Sequence, residues 1–210
     1  MRPVQQIRQL DAADPNGIFL DQGSTTDVPL TLNGAFVTAG VAQLDVQRQV
    51  ELESAGNLSA VNYTIVGTDE QGREITEIIV GPNAGVSATT LDFFTVTSIT
   101  PDGTDATLME GGTNALGGSI PIPIDTYLDP TSIGMGIVVT GTVDVTVQHT
   151  FDDPFEGAST ILTWFDHPTL VNVAANDDGN LAFPPRAVRL FTNSGAGTAE
   201  FDLVQAGAVS

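Results

Sequence analysis

The chain has 210 residues, a formal net charge of −20, no cysteine, and arginine as its sole strong cation. Such a chain repels nucleic acid and anionic membranes over a Debye length of about 8–10 Å, and it has no thiolate for a metal or a disulfide. No run approaches the ~18 apolar residues of a membrane-spanning helix, and MRPVQQIRQL lacks the apolar core of a signal peptide, so a protein made in the cytoplasm, with neither nucleic-acid nor membrane partners, is expected.

Residues 1–26 are polar, with turn signals at Asp14-Pro15-Asn16-Gly17 and Gly23-Ser24-Thr25-Thr26. Val4, Ile7 and Leu10 are spaced by three, too briefly and without a cap to specify a helix. An N-terminal arm is predicted here, mobile in the free protein. Arg2 and Arg8 precede the first acid, Asp11, and make its tip cationic. The alternative docks Val4, Ile7 and Leu10 on the chain's own sandwich. Residues 27–210 form the predicted β region. Val28, Leu30 and Leu32 alternate around Pro29 and suit an edge strand.

Gln43–Glu53 reads as one strand, with Leu44, Val46, Val50 and Leu52 on one face and acids and glutamines on the other. Arg48 falls on the apolar phase, either at the sheet's end or facing a partner. Val61–Val80 reads as a hairpin, with Gly72 supplying a positive φ in its loop. Leu91–Thr100 is a further strand. Residues 101–118, PDGTDATLMEGGTNALGG, look like a loop, and any boundary between two lobes is placed there. Pro123 keeps the following stretch, IPIPIDTYL, from being a central strand.

From Ile137 to Phe151 the alternation is continuous, with Val143, Val145, Val147, His149 and Phe151 in one phase. Fully extended it would reach roughly 50 Å, so Gly141 is expected to bend it into two strands. Thr160–Phe165 suits a strand or one helical turn. Asn176–Asn180 reads as a turn, and Arg186–Thr192 with Thr198–Gln205 as a closing hairpin. Strand signals recur between Gly, Pro, Asn and Asp, and no strong amphipathic helix is visible. The expected fold is all-β: an antiparallel, jelly-roll-like β-sandwich in one or two lobes.

Chemical signatures are sparse. Asp152-Asp153 and Asp177-Asp178 are weak calcium candidates, for they lack the spacing of a calcium-binding loop and suit turns as well. His149 and His167 lack the HExxH spacing of a zinc site. No GxSxG elbow and no phosphate-cradling glycine motif occurs. Trp164-Phe165 suits a sugar platform or, more simply, core packing. No catalytic residue, cofactor or metal is assigned. Arg48 and Arg189, on or beside apolar strand phases, join Arg2 and Arg8 as interface candidates, with intrachain pairing the alternative.

VNYTIVGTDEQGREITEIIVGPNAG (61–85), FFTVTSIT (93–100), VTGTVDVTVQHTFDDP (139–154) and FPPRAVRLFTNSGAGTAEFDLVQAG (183–207) resemble segments of tailed-bacteriophage virion proteins. The resemblance covers roughly residues 43–207. It implies a non-enzymatic structural component of the virion, above all a capsid decoration or cement protein. A head–tail collar, tail-sheath or fibre-anchoring part comes next. It implies capsid or tail proteins as partners and a homo-oligomer, with a trimer a common arrangement. Of other classes, a carbohydrate-binding or calcium-dependent adhesion module would need aromatics aligned on one exposed face, and a glycan-cleaving enzyme is the least favoured.

Overall fold

A computed structural model describes residues 3–209. Every sheet pairing in it is antiparallel, and the described residues contain no helix, so the fold is an all-β sandwich. The chain forms two compact units, one of Met1–Asp11 with Leu116–Ser210 and one of Ala12–Ala115. They are called here the split unit and the inserted unit.

The first strand, β1 (Val4–Gln9), belongs to the split unit. The inserted unit follows: β2 (Asp14–Ser24), β3 (Val37–Thr38), β4 (Val41–Arg48), β5 (Val50–Asn57), β6 (Asn62–Thr68), β7 (Glu74–Val80), β8 (Asn83–Ala88), β9 (Phe93–Pro101) and β10 (Asp105–Thr113). The split unit resumes with β11 (Gly117–Gly118), β12 (Ile122–Pro123), β13 (Leu128–Thr140), β14 (Val143–Thr150), β15 (Phe165–Asp166), β16 (Asp177–Leu181), β17 (Ala187–Gly195) and β18 (Thr198–Val209).

In the inserted unit the sheets run β2-β10-β5-β8 and β3-β4-β9-β6-β7. The expected hairpin is present as β6–β7, from Asn62↔Val80 to Thr68↔Glu74, and Gly72 has φ +76°. The strand expected at 43–53 is divided at Gln49 between two sheets. The buried phase carries through the corner, from Ala42 and Leu44 through Arg48 to Val50 and Leu52, with Gln47 of the other phase also buried at the turn. Part of the stretch 101–118, expected as a loop, is β10, paired with both β2 and β5. Its glycines belong there because neighbours crowd them. A Cβ on Gly111 would lie 2.1 Å from the Phe19 ring, and one on Gly112 1.9 Å from the Asp14 carbonyl oxygen.

The split unit packs sheet β1-β18-β13-β16 and sheet β11-β17-β14-β15 around one core, with β12 also paired to β17. Ile133, Met135, Ile137 and Phe201 come from the first sheet, and Val145, Val147, Val188 and Leu190 from the second. Gly141 does break the long alternating stretch, but the halves join different sheets. So do β17 and β18, which therefore do not form the expected hairpin. Instead β13–β14 and β17–β18 bend together as one two-stranded ribbon. Gly141 (φ +80°) and Gly195 (φ +87°) make the corner, where a Cβ on Gly195 would lie 2.4 Å from the Thr142 carbonyl oxygen.

In place of an arm, residues 4–24 carry β1 and β2. β1 pairs with β18 from Val4↔Leu203 to Gln9↔Thr198. Its inward phase is Val4, Gln6 and Arg8, while Ile7 is 61% exposed. The spacing of Val4, Ile7 and Leu10 therefore concealed a period of two whose inward members are partly polar. The Gln6 amide donates to the Ile120 carbonyl and Arg8 Nη2 to the Gly118 carbonyl, both at 3.0 Å, which lets these polar groups face in. Asn176–Asn180, expected as a turn, falls mostly within the edge strand β16, which pairs with β13.

Candidate functional site

The interface candidates separate on inspection. Arg48 is fully buried at the β4–β5 corner. Its guanidinium donates to the Asp45 carboxylate at 3.1 Å and through Nε to the Asn114 carbonyl at 3.1 Å. Arg48 is thus an intrachain anchor. Arg8 is 4% exposed and likewise turned inward. Arg189 lies 4.2 Å above the Trp164 ring and 5.2 Å from that of Phe191, with Nε bonded to Gln148 Oε1 at 2.9 Å. Arg2 lies outside the described residues.

The weak metal candidates do not converge: no group of three His, Asp or Glu side chains able to hold an ion occurs among the described residues. Asp152 accepts from the Thr163 N–H at 2.7 Å, Asp153 from the Phe155 N–H at 2.9 Å, and Asp177 from the Asp178 N–H at 2.9 Å. His167 is a structural histidine. Its Nδ1 accepts from the Leu170 N–H at 3.0 Å, which puts the ring proton on Nε2, donated to the Asn180 carbonyl at 3.0 Å. Trp164 is half-buried, with one face covered by Arg189.

What the fold does gather is aromatic surface. The exposed aromatic side chains among the described residues are Tyr127, Phe151, Phe155, Phe165 and Phe183, and all lie in the split unit. Phe151 ends the inward phase of β14, and β15 sets Phe165 opposite His149 in the same sheet. Phe183 follows β16 and stacks on Phe151 at 5.7 Å, while Phe165 meets Phe151 edge-on at 6.1 Å. His149, 6% exposed, lies within 5.4–5.8 Å of all three rings. Its burial there, with His167 nearby, holds its pKa below the ordinary 6.5 despite Asp166.

Beside this cluster lies a pocket of about 630 Å³. Tyr127, Phe151, Phe155 and the prolines Pro123 and Pro184 supply its apolar lining, and Asp153, Arg186 and Thr126 its polar groups. Arg186 Nη2 is hydrogen-bonded to Asp153 Oδ2 in an exposed ion pair. Each wall has a support. Thr150, fully buried, accepts the Arg186 N–H at 2.8 Å, and its hydroxyl donates to the Thr163 carbonyl at 2.8 Å, which ties down the segment carrying Phe151 and Phe155. Gln205, also buried, clamps the Asp125 backbone: Oε1 accepts its N–H at 2.9 Å and Nε2 donates to its carbonyl at 2.5 Å. The Asp125 side chain then receives the Tyr127 N–H at 3.0 Å.

Sequence reasoning assigned no binding role to Tyr127, Phe151, Phe155 or Phe183. The available signal was large aromatics set against turn formers, Asp153-Pro154-Phe155 and Phe183-Pro184-Pro185, where no strand phase can bury them. No protein-family model matches this chain, and no curated protein matches it either.

Proposed function

We propose that this chain is a non-enzymatic structural protein of a tailed-bacteriophage particle, acting as a capsid decoration or cement protein. The observation that carries the reading is where its phage-like segments fall. Residues 61–85, 93–100, 139–154 and 183–207 take in β6, β7, β14 and β17, nearly all of β9, most of β18 and the first half of β8. The resemblance thus falls on framework strands of both units. That is the pattern of a protein selected for shape and assembly.

Its electrostatics support the same role. A net charge of −20 with no lysine suits the outer surface of a particle better than its DNA-facing lumen. Unpaired sheet edges, such as β1 and β16 in the split unit, offer the repeated contacts of a homo-oligomer on a symmetric shell. Imaging of the purified particle at residue resolution is the test. Copies at regular positions on the capsid exterior are expected. Copies only at the collar or tail would move the protein to that assembly, and particles devoid of it would refute a virion role.

A further inference from the structure

We infer that the pocket lined by Tyr127, Phe151, Phe155, Asp153 and Arg186 is a binding site for a neutral oligosaccharide. This goes beyond the structural role and holds whether or not the chain belongs to a virion.

Three observations lead there. The first is the lining. At about 630 Å³ the pocket falls in the range of small-ligand sites, roughly 300–1,000 Å³, and it sets aromatic rings against a few polar groups. A sugar ring needs that combination: C–H faces that pack on aromatic rings and hydroxyls that hydrogen-bond at its edge. Tyr127, 80% exposed, and Phe155, 44% exposed, present ring surface to solvent.

The second is charge. Arg186 and Asp153 neutralise each other within the pocket, so it is neither an anion nor a cation site. The guanidinium has five donors and the carboxylate about four acceptor positions, and one Nη2 contact joins them. Such a pair can donate to one hydroxyl and accept from its neighbour. The surrounding protein, at −20, disfavours acidic sugars and phosphorylated ligands at long range.

The third is support. The buried Gln205 holds the Asp125 backbone, whose side chain takes the Tyr127 N–H, and the buried Thr150 holds the backbone beside Phe151, so the main chain behind both walls is fixed before a ligand arrives.

Saturation-transfer NMR on the full chain tests this, with maltotetraose, cellotetraose, chitotriose and mannotriose as probes. At least one should bind saturably, with 3′-sialyllactose much weaker. Tyr127→Ala and Arg186→Lys should each weaken that sugar by about ten-fold, the equivalent of ~1.4 kcal/mol, with the melting temperature unchanged. The first variant removes a ring and the second keeps the charge while losing the planar fork. Absence of binding by all four sugars overturns the inference. So does binding that both variants leave intact, or displacement of the sugar by a proline-rich decapeptide that binds more tightly.

Discussion

Gln205 is the residue whose replacement should tell most about the split unit. It is 3% exposed, and its amide meets both backbone groups of Asp125, at 2.9 Å and 2.5 Å. Gln205→Leu keeps the size and deletes both bonds. Each is worth about 1 kcal/mol net, and the buried partners left behind add a desolvation penalty of about 1–3 kcal/mol per group where water stays out. Asp125 is only half-buried, so water restores part of this, and a loss of about 2–3 kcal/mol is expected. Trp164, the sole tryptophan, lies in the split unit and reports its unfolding. With a urea slope in the usual range of about 1–3 kcal/mol/M, the midpoint should fall by about 1 M or more. Gln205→Glu refines the test. Its carboxylate still accepts the Asp125 N–H but faces the Asp125 carbonyl oxygen, so the protonated form is favoured in the fold and its pKa rises. Stability of that variant should improve as pH falls toward the unfolded value of about 4.3 and drop as pH rises through the folded one. An unfolding free energy for Gln205→Leu within ~0.5 kcal/mol of the parent would refute the clamp.

Arg48→Ala should destabilise the inserted unit by about 3–5 kcal/mol, because it empties the space of a fully buried side chain and strips the guanidinium from Asp45 and the Asn114 carbonyl; Arg48→Met refills the space but not those bonds and should recover only part of the loss, which urea denaturation followed by circular dichroism measures. His149 is held neutral by its surroundings, so its contribution is full above pH 6.5 and is lost as pH falls through its lower folded value. His149→Phe should flatten that part of the stability–pH curve, and an unchanged curve would mean the carboxylates alone set it. Gly195→Ala combines a positive φ with a clash at the Thr142 carbonyl, and a loss of at least ~2 kcal/mol is expected by thermal or urea unfolding.

Legibility in the sequence followed the side chains. Where one phase was apolar and the other polar, as in β6 and β14, element and face were both readable. β1 was hidden because Gln6 and Arg8 point inward, each donating to a carbonyl more than a hundred residues away, and no local pattern records that. β10 was hidden by glycines that look like a loop until Phe19 and the Asp14 backbone are set beside them. The change of sheet at Gln49, and that at Gly141 and Gly195, leave the alternation almost intact, so the strands were visible and their partners were not. The candidate site was the least legible part. Tyr127, Phe151, Phe155 and Phe183 are spread over 57 residues and meet only through the sheet pairing.

The insertion of one unit into the other governs the order in which the molecule can be made. β1 leaves the ribosome well before its partner β18, and Val4 meets Leu203. The intervening chain is not idle in the meantime. Residues 12–115 form a contiguous unit whose first and last strands pair, Asp14 beside Thr113, so its completion ties its own two ends together. For β1 this removes about a hundred residues from the loop still to be closed. The entropic saving is modest, since halving a loop is worth only about 0.6 kcal/mol. The kinetic consequence is larger: β1 waits on a strand made long after it, and β18 is left with an unpaired edge until β1 returns. A circular permutant opened at the 115–116 junction, with the original termini linked, would put β1 and β18 next to each other in sequence and should refold faster than the parent.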